Sequence, residues 1–291
     1  MTTDFAINWG ANKLKKISQS PALDAEVLLS HILKKDKAWL FANANNNLTI
    51  KQLNKFRNLI RKRANHWPVA YLTGHKEFFG LDFKVNPDVL IPRPETELLV
   101  ELALNRISNR ESRIENIIDV GTGSGCIVIA IAKNVKNQNI KFYATDVSNA
   151  VLKIAKQNAK RHGVGKKIKF FKGNLLGPIL NSKFDIRDSL IIANLPYGWN
   201  QWKNNTSADT AGLKFEPQRA LFTKESGLYH IRRLFEQAAK FKIRNSTLLI
   251  EFDPRQKQKL LSLTKKYFPK AKFKFHRDLS TKFRVLEISN S

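Results

Sequence analysis

Residues 116–125 read Asn116-Ile117-Ile118-Asp119-Val120-Gly121-Thr122-Gly123-Ser124-Gly125, and the apolar run Cys126-Ile127-Val128-Ile129-Ala130 follows directly. A strand-like segment that ends in alternating glycines and passes into a helix lets a ligand approach the backbone closely, with the helix amino terminus pointing at it. The dinucleotide version of this turn needs Gly-x-Gly-x-x-Gly. Here Cys126 follows Gly125, so the third glycine is out of register and the pattern disfavours NAD and FAD.

From this stretch onward the chain alternates strand and helix. Asn116–Val120, Lys141–Thr145, Lys167–Lys172, Leu190–Ala193 and Thr247–Phe252 have strand character, and helices are predicted to start near Ser124, Ser148, Lys224 and Pro254. Such alternation implies an α/β fold, a parallel sheet with helices on both faces. The last two runs, Lys270–His276 and Phe283–Ile288, are joined by too short a link for a crossover helix and should pair antiparallel. Five parallel strands with a terminal antiparallel hairpin is the layout of the class I methyltransferase fold.

Before this region the pattern is different. Residues 1–74 read as a small helical bundle, with Ser20-Pro21 and the capping box Thr49-Ile50-Lys51-Gln52 as two helix starts. Leu53, Phe56, Leu59, Ile60 and Ala64 then keep helical spacing. Residues 75–93 read as a hairpin and linker, Glu77 to Val85 followed by Ile91-Pro92-Arg93. Pro94 can open a helix through Leu98, Leu99 and Leu102 to Ile107, and residues 94–291 form the larger domain.

At 291 residues and 42% hydrophobic content the chain can bury a full core in two domains. No apolar stretch approaches the ~20 residues of a membrane span, and Met1-Thr2-Thr3-Asp4 lacks the order of a signal peptide, so no membrane contact and a cytoplasmic location are expected. One cysteine, Cys126, and six histidines without metal-ligand spacing give no disulfide and no metal site. Cys126 reads as a small buried thiol. The net charge of +27 favours a polyanionic partner such as RNA or the ribosome, although basic residues spread along the whole chain also fit a compositional bias.

Two segments carry chemistry. S-adenosylmethionine has no pyrophosphate, so a loop such as Gly121-Thr122-Gly123-Ser124-Gly125 need only make room for it, with Asp119 positioning the loop or meeting the ammonium. Asp146, at the end of the next strand, can take both ribose hydroxyls there or serve as a helix cap. Asn174 can meet the adenine edge, with Leu175 packing near the ring, or be a turn residue. The second segment is Asn194-Leu195-Pro196-Tyr197, which ends an apolar strand. The Asn194 side-chain oxygen and the Leu195 carbonyl can accept both N–H bonds of a planar NH2 group; Pro196 constrains the turn and Tyr197 can stack on the plane. Such a seat works by positioning rather than by a strong base.

Over nearly its whole length the chain resembles the PrmC/HemK family of release factor glutamine methyltransferases. The likeness is carried by Asp24-Ala25-Glu26-Val27-Leu28-Leu29, Pro68 to Gly74, the Phe78 to Val85 hairpin, Ile91-Pro92-Arg93-Pro94-Glu95-Thr96-Glu97, Asp119 to Gly125, Asp146, the acceptor loop and Lys214-Phe215-Glu216-Pro217. The resemblance implies a Rossmann-like catalytic domain with S-adenosylmethionine as cofactor, Asn194 close to it. It also implies methylation at N5 of the glutamine in the Gly-Gly-Gln motif of class I peptide-chain release factors. Arg93 and Glu216 would contact substrate, the helical domain would help to dock the factor, and nothing requires more than a monomer. Three features depart from the family pattern: Leu195 replaces a proline, Asn174 stands where aspartate is usual, and Phe184-Asp185 lies farther from Asn194 than usual, with Arg187-Asp188 intervening, which leaves the strand start open. With leucine the tetrapeptide looks like that of rRNA adenine dimethyltransferases, which keeps an RNA adenine-N6 methyltransferase as the alternative.

Overall fold

The computed structural model describes residues 1–109, 113–182, 187–199, 210–241 and 245–290, which leaves Phe184-Asp185 outside the described residues. The described residues divide into two units. The first is helical, because its apolar residues recur at three- and four-residue spacing behind capped starts. Thr2 caps α1 (Thr3–Leu14), proline opens α2 (Pro21–Leu33), Asp36 caps α3 (Lys37–Ala42), and the Thr49 capping box opens α4 (Ile50–Ala64). Ser20 makes no side-chain capping bond, and α5 (Val69–Thr73) ends at Gly74 in the left-handed conformation.

Leu14, Leu28, Leu29, Leu40, Phe56 and Ile60 form the separate core of this unit. At Gly10 a Cβ would come within 3.0 Å of Ile60 and Phe56, so the absent side chain is what lets α1 lie on α4. Arg63 ties α4 to α2 through a 2.8 Å ion pair with Asp24. Thr210–Glu216 also belong to this unit, and Phe215 sits against Trp67 with ring centroids 4.6 Å apart.

The second unit opens with the hairpin of β1 (His75–Phe78) and β2 (Leu81–Lys84). Its turn residues Phe79 and Gly80 both have positive φ, 51° and 70°, the twist that a two-residue hairpin turn requires. Rather than standing between the units as a linker, the hairpin buries Phe78 and Phe83 in the core of the second. A 3-10 turn over Pro94–Thr96 then leads into α6 (Glu97–Ser108).

The remaining elements are β3 (Asn116–Val120), α7 (Cys126–Asn134), β4 (Lys141–Asp146), α8 (Asn149–Arg161), β5 (Ile168–Lys172), α9 (Gly177–Leu180) and β6 (Ser189–Ala193). After them come α10 (Gln218–Leu221), α11 (Tyr229–Lys240), β7 (Ser246–Glu251), α12 (Lys257–Tyr267), β8 (Lys272–Arg277) and β9 (Phe283–Asn290). The sheet order is β5-β4-β3-β6-β7-β9-β8; the first five strands are parallel, and β9 is antiparallel to both neighbours. Alternate residues of the central strands feed two apolar layers. Ile117 and Ile192 pack with α6 and α7; Ile118 and Ile191 pack with α11 and α12.

From β3 the chain steps outward through β4 to β5, and from β6 it steps the other way to β7. The switch lies between β3 and β6, and such a switch opens a crevice beyond the carboxyl ends of the strands. Val120 pairs with Thr145 and Ala193, and Ala193 with Ile250. Gly121, Asp146, Asn194 and Glu251 are each the next residue, and all four stand at that edge.

Candidate active site

A glycine turn brackets one side of the crevice. Gly121 and Gly125 have φ of +75° and +84°; a Cβ on Gly121 would lie 2.9 Å from Leu195 Cδ2, and one on Gly125 2.8 Å from Ile129 Cδ1. Backbone and space both exclude a side chain at these two positions. Asp119 is wholly buried beneath the turn, and its Oδ2 accepts a hydrogen bond from Thr122 Oγ1 at 2.6 Å, while Oδ1 has no hydrogen-bond partner. Burial pushes the Asp119 carboxyl up to about 7, against the pull of the Thr122 bond.

Asp146 closes the turn from β4. One oxygen accepts from the Gly123 amide at 3.3 Å and the other from the Ser148 amide at 3.0 Å, while Ser148 caps α8. Burial raises its pKa; those amides and the Arg219 charge oppose the rise. Arg219, on α10, donates to Ser148 Oγ at 3.0 Å. Asp146, Arg219, Asn174 and Leu175 all line the crevice, where Val147 and Val151 add apolar wall.

On the opposite side Asn194 Nδ2 donates to Thr96 Oγ1 at 3.0 Å. Anchored by its nitrogen, the carboxamide directs its oxygen away from Thr96. Leu195 is only 3% exposed, its side chain against the backbone of Gly121. Tyr197 sends its hydroxyl to Glu251 Oε1 at 3.0 Å, and its carbonyl accepts from Gln256 Nε2 at 2.9 Å. Gln256 donates also to the Ser226 carbonyl at 2.8 Å.

The crevice thus brings together Arg93, Gly121 to Ser124, Asp146, Asn174, Leu175 and Asn194 to Pro196. Asp119, Gly125 and Tyr197 are not among its lining residues. The first two sit under the turn, and the Tyr197 hydroxyl points to Glu251. Glu216 is buried in the helical unit. Cys126 lines the crevice with its thiol pushed up to about 12 by burial, which suits an inert group. Thr96, Arg219, Glu251 and Gln256 escape the sequence reading. A signal exists only for Glu251, a carboxylate ending an apolar strand at the edge where ligands bind. Among the described residues no group of His, Cys, Asp or Glu has the arrangement of a metal site.

Residues 111–272 match the methyltransferase domain family, and residues 6–74 match the PrmC N-terminal domain. A release factor glutamine methyltransferase of Buchnera aphidicola subsp. Baizongia pistaciae is 37% identical over 262 residues, 90% of this chain and 90% of its own. The chain belongs to the release factor glutamine methyltransferase family. A bifunctional methyltransferase of Rickettsia typhi is 32% identical over 97% of this chain, which spans 56% of that longer relative. The N-terminal domain of human METTL16, solved in complex with SAH, shares the fold with a TM-score of 0.53 at 18% identity, over 90% of this chain and 94% of that one.

The chain carries a methyltransferase domain, and the crevice fits S-adenosylmethionine. A Cβ at Gly123 would meet nothing within 4 Å, so the crown of the turn stands open. Asp146 offers a carboxylate beside it, and Leu175, Val147 and Val151 offer an apolar wall.

Proposed function

We propose that this chain methylates the side-chain amide nitrogen of the glutamine in the Gly-Gly-Gln motif of class I peptide-chain release factors. One observation carries the reading: the Asn194 carboxamide, pinned by its nitrogen to Thr96, lines the same crevice as the glycine turn and Asp146. An acceptor for a planar NH2 group and a cofactor seat therefore share one enclosure. Family membership favours an amide over an adenine as the group held there.

In this reading the Gly121 to Ser124 turn takes the amino acid end of the cofactor, Asp146 the ribose hydroxyls, and Asn174 and Leu175 the adenine. When bound, S-adenosylmethionine supplies an activated methyl group on a sulfonium. Asn194 Oδ1 and the Leu195 carbonyl accept the two N–H bonds of the substrate amide and fix the direction of its nitrogen. Pro196 stiffens the turn that follows them. No strong base is required, because the proton is lost from a nitrogen that methylation has made acidic; orientation supplies most of the rate.

The helical unit docks the release factor, with Arg93 and Glu216 as further substrate contacts. The excess of basic residues adds attraction to the ribosome or to RNA. The enzyme acts as a monomer in the cytoplasm, where its substrate works; no helix among the described residues is long and apolar enough to cross a membrane.

The deciding experiment offers labelled S-adenosylmethionine to a release factor, to its Gln-to-Ala variant and to ribosomal RNA. Label in the intact factor alone is expected. Label in RNA alone would replace this reading with the adenine methyltransferase.

A further inference from the structure

Behind the acceptor loop lies a buried cluster for which the mechanism above has no use. Glu251 ends β7 beside Asn194 in the sheet register and is wholly buried. It accepts the Tyr197 hydroxyl at 3.0 Å, while Asn194 Nδ2 donates to Thr96 Oγ1 at 3.0 Å on the other side of the loop. Tyr197, the last residue of the tetrapeptide, is thereby tied to the strand end that lies beside Asn194, the first.

We propose that Glu251 is a positioning residue: it holds Tyr197 by its hydroxyl and so fixes the loop that presents Asn194 to the crevice. The identity of the substrate amide rests on the reading above; the grip on the loop rests on geometry alone.

The neutral carboxyl is the form that suits this place. Glu251 Oε2 and Glu95 Oε1 are both buried without a hydrogen-bond partner, and an unpaired charge in such surroundings is costly. The groups that face Glu251 are Glu95 from the 3-10 turn, Tyr197 from the loop, Arg284 from β9 and Cys126 from α7. Burial, then the Glu95 charge, pushes Glu251 up to about 7; Thr96, Tyr197 and Arg284 oppose the rise. Ionisation as pH climbs through that value should loosen the loop and lower kcat.

The test compares the full-length wild type with Glu251→Ala and Glu251→Gln. Turnover of labelled S-adenosylmethionine on a release factor is followed from about pH 6 to about pH 9, and amide hydrogen exchange of Asn194 to Gly198, except Pro196, is measured without substrate. Glu251→Ala is expected to lower kcat about 100-fold, leave the cofactor KM unchanged and speed exchange in the loop. Glu251→Gln, which keeps an acceptor for Tyr197 but cannot ionise, should retain the rate and the slow exchange and lose the fall above pH 7. The proposal is overturned if that fall persists in Glu251→Gln, or if Glu251→Gln is as impaired as Glu251→Ala. It is overturned equally if loop exchange in Glu251→Ala matches the wild type. Should the alanine variant not fold, the glutamine variant decides by its pH profile and exchange. A wild type that labels no release factor defeats the substrate reading, and the exchange data then judge the grip on their own.

Discussion

The two loops at the crevice are built in opposite ways. The glycine turn is held by its own neighbourhood: Asp119 and Thr122 are three residues apart, and Gly125 makes room for Ile129 four residues on. The acceptor loop is held from afar, by Thr96, 98 residues before Asn194, and by Glu251, 54 residues after Tyr197. A locally braced loop carries its fold and its purpose in one short string. A remotely braced loop carries only its purpose, and its precision depends on the whole sheet.

The sharpest way to break this comparison is Asn194→Ala. Turnover should fall by about 100- to 1,000-fold, as for loss of one oriented polar group in a preorganised site, while calorimetry finds cofactor affinity little changed. A large loss of affinity would place Asn194 in the cofactor seat instead. Next comes Gly121→Ala, which combines a positive φ with a 2.9 Å approach to Leu195 and should cost about 1–3 kcal/mol in denaturant unfolding. In a Leu195→Ala background the penalty should shrink, and the coupling energy of this double-mutant cycle measures how firmly the two loops touch. Additive effects would mean that they are independent.

Asp146→Asn is expected to weaken cofactor binding about tenfold with the fold intact, by loss of charge-assisted hydrogen bonding. Unchanged affinity would remove Asp146 from the ribose role. The smallest effect concerns pH. The folded pKa of Asp119 is about 7, above the ordinary value of about 4, so the folded chain holds this proton more tightly than the unfolded chain does. The stability so gained is whole below about pH 4 and is lost as pH rises through 7. Urea midpoints at about pH 5 and about pH 8 should differ less in Asp119→Asn than in the wild type.

What was legible in the sequence follows the same division. Asn116–Val120 and the turn after it announce strand, glycine loop and helix within a dozen residues, and the alternation of strands and helices announces a parallel sheet. The acceptor tetrapeptide stands out in the sequence as a candidate grip, whereas its supports do not. Thr96 looks like one more residue of a proline-rich approach, and Gln256 like an ordinary helix-start polar residue; only the folded sheet brings them to Asn194 and Tyr197. The hairpin shows the same division. Gly80 marks its turn, yet nothing local says which core Phe78 and Phe83 will enter.

The contact of Leu195 with Gly121 has a further meaning. A side chain from the loop that would grip the substrate serves as a wall for the loop that would seat the cofactor, so the two behave like the jaws of one tool cut from a single piece. Wear or enlargement at residue 195 shifts both jaws together, and the gap between them is gauged by one methyl group resting on a glycine.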